Sequence, residues 1–293
     1  MELSIQLNYL TKSRFNEAPR AFGEAVRLCA GAGFRYVDYT PDFRADTWRD
    51  QALRDKETLD AAGIAVEQTH VPYNRYHSYD PEDFKRYYER VFEASALLGA
   101  KYVVVHADEY CVTDHYDPKE IEQYTYDYLA PHVDYAAKHG LVVALENLFE
   151  DHVPFIPAID GKSRFMSRIE EVAGMIERFN TPTVGCCWDF GHAHVAFGKD
   201  QLDAMKRVVK HIRCTHVHDN YYNHDLHLVP FQGDVDWEGH MACLKENGYA
   251  GKLSFEFAYG RFPQALMPVW VNTIHQVGEY LVKLYEGNGK IAG

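Results

Sequence analysis

Eight short runs of β-branched and aromatic residues recur along the chain, each followed by a longer stretch with helical apolar spacing. This alternation restricts the fold more than any other feature, because parallel strands joined by crossover helices require that order. The runs fall at 3–7, 36–39, 64–71, 102–106, 141–148, 183–189, 212–218 and 252–257. Helical patterns stop at glycines such as Gly31 or Gly33, Gly63 and Gly140. Pro72 ends the third run, and Asp80-Pro81 starts the helix after it. Eight such units in 293 residues predict a single-domain α/β fold, a closed (β/α)8 TIM barrel spanning 1–293. An open doubly wound sheet is the rival. It would place a glycine-rich phosphate loop after its first strand, but residues 3–18 contain no glycine, and no GxGxxG or GxxxxGK motif occurs anywhere. The connections at 108–118 and 149–163 read as longer loops over the mouth of the barrel.

Composition narrows the class further. Hydrophobic residues make up 46% of the chain, enough for a large core and against disorder. No run is apolar enough to span a bilayer, and the first ten residues read as a strand and not as a secretory leader, so cytoplasmic residence is expected. The six cysteines, Cys29, Cys111, Cys186, Cys187, Cys214 and Cys243, lack CxxC spacing and read as buried thiols. A formal charge of -13 argues against a broad polyanion-binding surface and makes nucleic acid a disfavoured partner. The stretch from Lys206 through Lys210 to Arg213 has helical spacing and reads as a solvated helix face. Lys199 and Asp200 read as a turn and helix start. The apolar final helix, with Met267, Trp270, Ile274, Val277 and Leu281, fits packing on the barrel or a homo-oligomer contact equally well.

The polar residues are positioned, not scattered. His70, His106, Glu146, Asp189, His218 and Glu256 each lie at the carboxyl end of a run, embedded in apolar sequence, and His192 follows Asp189 by three residues. A parallel barrel gathers those ends at one mouth. Carboxylates buried together repel and raise each other's pKa values, and a divalent metal removes that cost. Glu146, Asp189, His218 and Glu256 offer three carboxylates and an imidazole, a set suited to Mn, Co, Mg or Zn. His70, His106, His192, Asp225 and His227 form an outer layer able to orient ligands, hold substrate oxygens or bind further metals. Tyr9, Tyr39, Trp48 and Phe149 fit pocket walls or ordinary packing. Arg261, five residues past Glu256, fits a contact to an anionic substrate group or a solvated loop arginine. Alternation turns Trp188 and Phe190 into packing.

These pieces together resemble the xylose isomerase-like TIM barrel superfamily, which joins sugar isomerases and epimerases to endonuclease IV type repair enzymes. The resemblance rests on ALEN around Glu146, WDFGHAH at 188–194, HVHDN at 216–220, DLHLVPFQGDVDW at 225–237 and SFEF around Glu256. In the sugar branch it implies one divalent ion, Mn or Co first, on Glu146, Asp189, His218 and Glu256. The two glutamates serve there as the proton-transfer pair through a metal-stabilised enediolate, and His192 touches substrate oxygen. The substrate is then a small carbohydrate, and the reaction isomerisation or epimerisation. Loss of a β-hydroxyl from the same enediolate would make an inosose-type dehydratase. In the endonuclease branch nine residues hold three zinc ions, and the look-alike positions His70, His106, Glu146, Asp189, His192, His218, Asp225, His227 and Glu256 are all filled. The acidic segment at 108–120 sits badly against phosphates, although Lys12, Arg14, Arg44, Arg49, Arg54 and Arg75 lie in the early connections. One departure stands out. The usual Pro-Gly-x-Gly is Pro230-Phe231-Gln232-Gly233 here, which puts the local turn in doubt.

Overall fold

The computed structural model describes residues 1–13, 16–72, 80–107, 117–150, 164–221 and 224–289. The predicted runs form β1 (Leu3–Gln6), β2 (Tyr36–Asp38), β3 (Ala65–His70), β4 (Tyr102–Val105), β5 (Val142–Glu146), β6 (Val184–Asp189), β7 (Ile212–His216) and β8 (Leu253–Phe255). Buried strands in such a sheet are apolar on both faces, as the wholly buried β1, β4 and β6 show. All pairings are parallel, in the order β7-β6-β5-β4-β3-β2-β1-β8. The two ends meet where Val217 N donates to Ser254 O at 2.7 Å and Glu256 N to Val217 O at 3.2 Å, so the barrel closes just beside the candidate residues. Ladder register shifts at Val37/Asp38 and at Cys186/Cys187. Such bulges re-aim side chains, and the first turns Asp38 toward Gln68 in the barrel interior.

The surrounding helices are α1 (Asn8–Thr11), α2 (Phe22–Ala32), α3 (Trp48–Ala61), α4 (Pro81–Leu98), α5 (Pro118–His139), α6 (Ile169–Phe179), α7 (Phe190–Phe197), α8 (Gln201–Val208), α9 (Trp237–Glu246) and α10 (Met267–Glu286). Asp80 and Asp117 cap α4 and α5 through the amides of Glu82 and Lys119, each ahead of a proline in the first turn. A short 3-10 turn at Gly198–Asp200 separates α7 from α8, where Lys199-Asp200 marks the turn. The basic stretch does not stay helical to its end. α8 stops at Val208 and Arg213 lies on β7, because Ile212 and Cys214 are drawn into the β6–β7 ladder.

Cys29, Cys186, Cys187, Cys214 and Cys243 are buried free thiols, and Cys111 lies outside the described residues. No described helix is long and apolar enough to cross a membrane. Most of the loop residues at 108–118 and 149–163, together with Arg14 and Arg75, also fall outside the described residues.

Candidate active site and metal centre

Glu146, the last residue of β5, is the hub of the mouth. Its Oε2 accepts from His106 Nε2 at 2.8 Å and His70 Nε2 at 3.1 Å. Its Oε1 lies 3.0 Å from His216 Nδ1 and 3.2 Å from His192 Nδ1. Burial pushes this carboxyl group's pKa up, but the attraction of His216 and His106 outweighs burial and holds it well below the usual range. His216 behaves in the opposite sense. Burial pushes it down, yet the charges of Glu256 and Glu146 carry it well above the ordinary imidazole value. The same contest, led by Asp189 and Glu146 against burial, raises His192 to about 10, whereas burial dominates at His106 and lowers it to about 4. Glu256 is held at about 2, because the positive charge of His216 and His227 overcomes its burial.

His216 lies against four carboxylates, those of Glu146, Glu256, Asp189 and Asp38. Besides Glu146, its Nδ1 lies 3.4 Å from Glu256 Oε2 and 3.7 Å from Asp189 Oδ2. Its Nε2 donates to Asp38 Oδ2 at 3.1 Å, and Asp38 in turn accepts from Gln68 Nε2 at 3.0 Å. A carboxylate that fixes the far nitrogen of a histidine is the usual support of a metal ligand. Three more rings are fixed through backbone carbonyls. His70 Nδ1 donates to Val71 O at 2.8 Å, His192 Nδ1 to Asn147 O at 3.1 Å and His227 Nδ1 to Glu256 O at 3.0 Å. Each therefore turns its Nε2 toward a carboxylate.

An outer group adjoins the hub. His218 Nε2 lies 3.0 Å from Asp189 Oδ1, and His218 stacks on His227 with centroids 4.0 Å apart. His227 Nε2 lies 3.3 Å from Asp225 Oδ2. His227 is raised to about 9, because its hydrogen bond and attraction to Asp225 outweigh burial.

Local backbone chemistry builds this arrangement. Asp189 Oδ1 caps α7 by accepting from His192 N at 2.7 Å, which places both residues at once. Asn147 bonds both the amide and the carbonyl of Asp189, tying the end of β5 to the end of β6. A side chain at Gly191 would overlap the His218 ring, so that glycine is required where α7 meets β7. Asp219 gathers the following connection. It accepts from the amides of Asn220, Phe231 and Val235 at 2.9, 2.8 and 3.1 Å, and from Trp237 Nε1 at 2.9 Å. The turn expected to need a first glycine is kept. Phe231 takes the left-handed conformation, with φ 74°, and its ring packs near Tyr280 and Trp237.

Among the described residues, four donor groups have ligand atoms within 4.8 Å of one another: His70-His106-Glu146, Glu146-Asp189-His216, Asp189-His192-His218 and His218-Asp225-His227. Mixed imidazole and carboxylate donors of this kind fit a divalent ion such as Mn, Co, Mg or Zn. Protonated imidazoles neutralise these carboxylates, and a cation bound to the same nitrogens would do so in their place.

A model of the xylose isomerase-like TIM barrel family matches residues 26–270. The chain belongs to the xylose isomerase-like TIM barrel family. An inosose isomerase of Bacillus velezensis is 24% identical over 292 residues, covering 92% of this chain and 97% of that one. An uncharacterized protein of Sinorhizobium fredii is 24% identical over 67% of this chain, and the match spans 60% of that relative's length. Among solved structures, a D-tagatose 3-epimerase-like protein superposes with a TM-score of 0.74 at 17% identity, over 98% of this chain and 99% of the other.

Within this xylose isomerase-like barrel, nine of the residues singled out from the sequence converge: His70, His106, Glu146, Asp189, His192, His218, Asp225, His227 and Glu256. Arg261 does not join them. Gly260 takes a left-handed turn and its carbonyl accepts from Glu17 N. The Arg261 side chain, 87% exposed, then pairs with Glu17 at 2.8 and 3.0 Å. Lys12, Arg20, Arg44 and Arg164 do line the mouth, and Arg164 is buried, with Nη1 donating to Phe149 O at 3.4 Å and the guanidinium over the Phe149 ring. Tyr9, Tyr39 and Phe149 line the mouth, while Trp48 takes the packing role, buried in a small cluster with Ala52 and Ala94. Trp188 and Phe190 are buried in packing.

Sequence reasoning passed over His216, Asp38, Gln68 and Asn147. His216 and His218 are two apart and share a face of the strand, so alternation alone does not choose between them. The structure separates them, because β7 ends at His216, which lies opposite Asp189 in the β6–β7 register.

Proposed function

We propose that the chain is a divalent-metal-dependent sugar isomerase or epimerase that works by proton transfer between Glu146 and Glu256. The observation that carries this reading is the approach of these two glutamates to one imidazole. They stand at the end of β5 and just past the end of β8, line the same cavity and both lie against His216. We place the principal ion on Glu146, Asp189, His216 and Glu256, which assigns His218 to the outer group with Asp189, Asp225 and His227. A divalent ion bound there would polarise a substrate carbonyl and stabilise negative charge on its oxygen.

The protein's own residues do the rest. One glutamate, ionised because its pKa is held low, takes the proton from the carbon beside the carbonyl. Delivery of a proton by the other glutamate to the opposite face of that carbon inverts it, which is epimerisation. Return of the proton to the neighbouring carbon is isomerisation. His192 and Arg164 line the cavity beside this pair and hold substrate oxygens in register. The inosose isomerase relatives favour a ketose or cyclic polyol ketone as substrate. On an inosose the same proton removal can end in loss of a β-hydroxyl, the dehydratase outcome.

A second reading is favoured by one observation. The nine residues that resemble a trinuclear zinc site do fall into adjoining donor groups. The acidic charge of -13 and the pairing of Arg49 with Glu93 at 3.3 Å weigh against a DNA-gripping surface. The test is a metal count together with exchange of carbon-bound hydrogen from deuterated water into ketoses and inososes. One tight ion, Mn or Co being the most effective on reconstitution, with exchange at the carbon next to the carbonyl, supports the sugar enzyme. Three zinc ions with cleavage at abasic DNA sites would overturn it.

A further inference from the structure

The mouth cavity exceeds what the glutamate pair needs. It measures ≈ 1230 Å³, above the range of about 300–1,000 Å³ that accommodates drug-sized ligands, and a single sugar ring is smaller than those. From Glu146 and Glu256 the cavity extends past the ends of β1 and β2 to α3, where Tyr39, Gln51 and Asp55 line its flank.

Asp55 is an unusual residue for its position. It shares the buried stripe of α3 with Ala52 and Leu59 and is 3% exposed, where an aliphatic side chain would be ordinary. Instead Tyr39 Oη donates to its Oδ2 at 2.6 Å and Gln51 Nε2 to its Oδ1 at 2.7 Å. Burial pushes the Asp55 carboxyl pKa up in spite of these bonds. With its O–H bonded to Asp55, the Tyr39 hydroxyl has only acceptor capacity left, and Gln51 is held beside it by Asp55 and by Arg54 Nη2, which donates to Gln51 Oε1 at 2.9 Å. Phe22 packs on Tyr39 with centroids 4.8 Å apart, and Phe43 adds a second aromatic face to the same lining. A hydroxyl and a carboxamide fixed beside an aromatic wall match a ring that offers hydroxyl groups and apolar C–H faces. The flank adjoins the reaction centre without belonging to it. Tyr39 precedes Thr40, whose Oγ1 accepts from His70 N at 2.8 Å.

We propose that Tyr39 and Gln51, positioned by Asp55, form a second sugar subsite, so that the substrate is a two-ring ketoside whose reacting ring lies between Glu146 and Glu256. This rests on the sugar-enzyme reading above. The test compares D-fructose with the ketose disaccharides isomaltulose, turanose and lactulose on metal-loaded protein, by hydrogen exchange in deuterated water and by saturation-transfer NMR. At least one disaccharide should exceed fructose in kcat/KM by about tenfold or more, with saturation on both rings. Tyr39→Phe and Asp55→Asn should collapse that ratio toward unity through KM. Gln51→Ala, which leaves the Tyr39–Asp55 bond in place, should reduce it too and guards against a folding defect. A purely structural anchor between α3 and β2 would lower Tm without changing the ratio, and that result, or no disaccharide preferred over fructose, overturns the subsite. If no sugar exchanges hydrogen, the catalytic reading fails and the binding arm still decides. Second-ring saturation lost in Asp55→Asn supports the subsite, and saturation unchanged, or absent from the unmodified protein, overturns it.

Discussion

Glu146 accepts four imidazole contacts on two oxygens, and this concentration decides what single substitutions should do. Glu146→Gln and Glu256→Gln keep the shape of the side chains but remove the bases, so each should lower turnover by about 10²–10⁴-fold, measured as hydrogen exchange into the substrate carbon at saturating metal. Two alanine variants separate the neighbouring histidines. His216→Ala should remove the central ion and with it the activity, whereas His218→Ala should leave that ion in place, since His218 meets Asp189 and Asp225. Metal analysis after gel filtration reads the difference, and the reverse pattern would move the central ligand to His218. At this scale the sequence was legible in its strand-end carboxylates and histidines, because burial amid apolar residues marks them. It was not legible at Asp38, whose inward aim depends on a bulge, nor at Arg261, whose loop is turned outward by Gly260 and captured by Glu17.

Elements carry the site by fixing strand ends to one another. The strands could be read closely because parallel-sheet runs are short, apolar and bounded by glycine and proline. The tie between β7 and the segment leading to α9 was not readable, since it runs through one side chain over long range. Asp219 there accepts from three amides and an indole N–H, all between its own strand end and Trp237. Asp219→Ala should cost about 3 kcal/mol or more, as several donors lose their acceptor, and urea unfolding measures it. Metal affinity should fall as well, because Asp225 and His227 lie on the segment that comes loose. The contact between α7 and β7 has an equally specific test. Gly191→Ala places a methyl group against the His218 ring. It should destabilise the fold by about 1–3 kcal/mol and reduce occupancy of the outer donor group more than that of the central one. Equal loss from both groups would show a general collapse of the mouth.

At the scale of the whole molecule, the barrel was predictable from the count and order of units, but the size of its mouth and the buried Asp55 flank were not, since these depend on which helix face each strand end meets. The closed barrel collects ionised carboxylates and raised histidines into one electrostatic unit, and its protonation should set how stability responds to pH. His192, lifted to about 10 in the folded state from about 6.5 in the unfolded chain, contributes stability that is full below pH 6.5 and is lost as pH rises through 10. His227, lifted to about 9, acts in the same direction. Glu256, lowered to about 2, contributes stability that is present above about pH 4.3 and is lost as pH falls toward 2. Chelated protein should therefore lose Tm between pH 7 and 10, by about 2–4 °C for each kcal/mol. Metal binding at the central site reverses the alkaline trend, because His216 must shed a proton to become a ligand and the cation's charge disfavours protons on the neighbouring imidazoles. Affinity should rise with pH, and Tm with saturating Mn should hold level or climb over the interval in which the chelated protein declines. Calorimetry in buffers of different ionisation enthalpy should register about one or more protons released per ion. Parallel Tm curves with and without metal would show that these histidines are not the groups the cation displaces protons from.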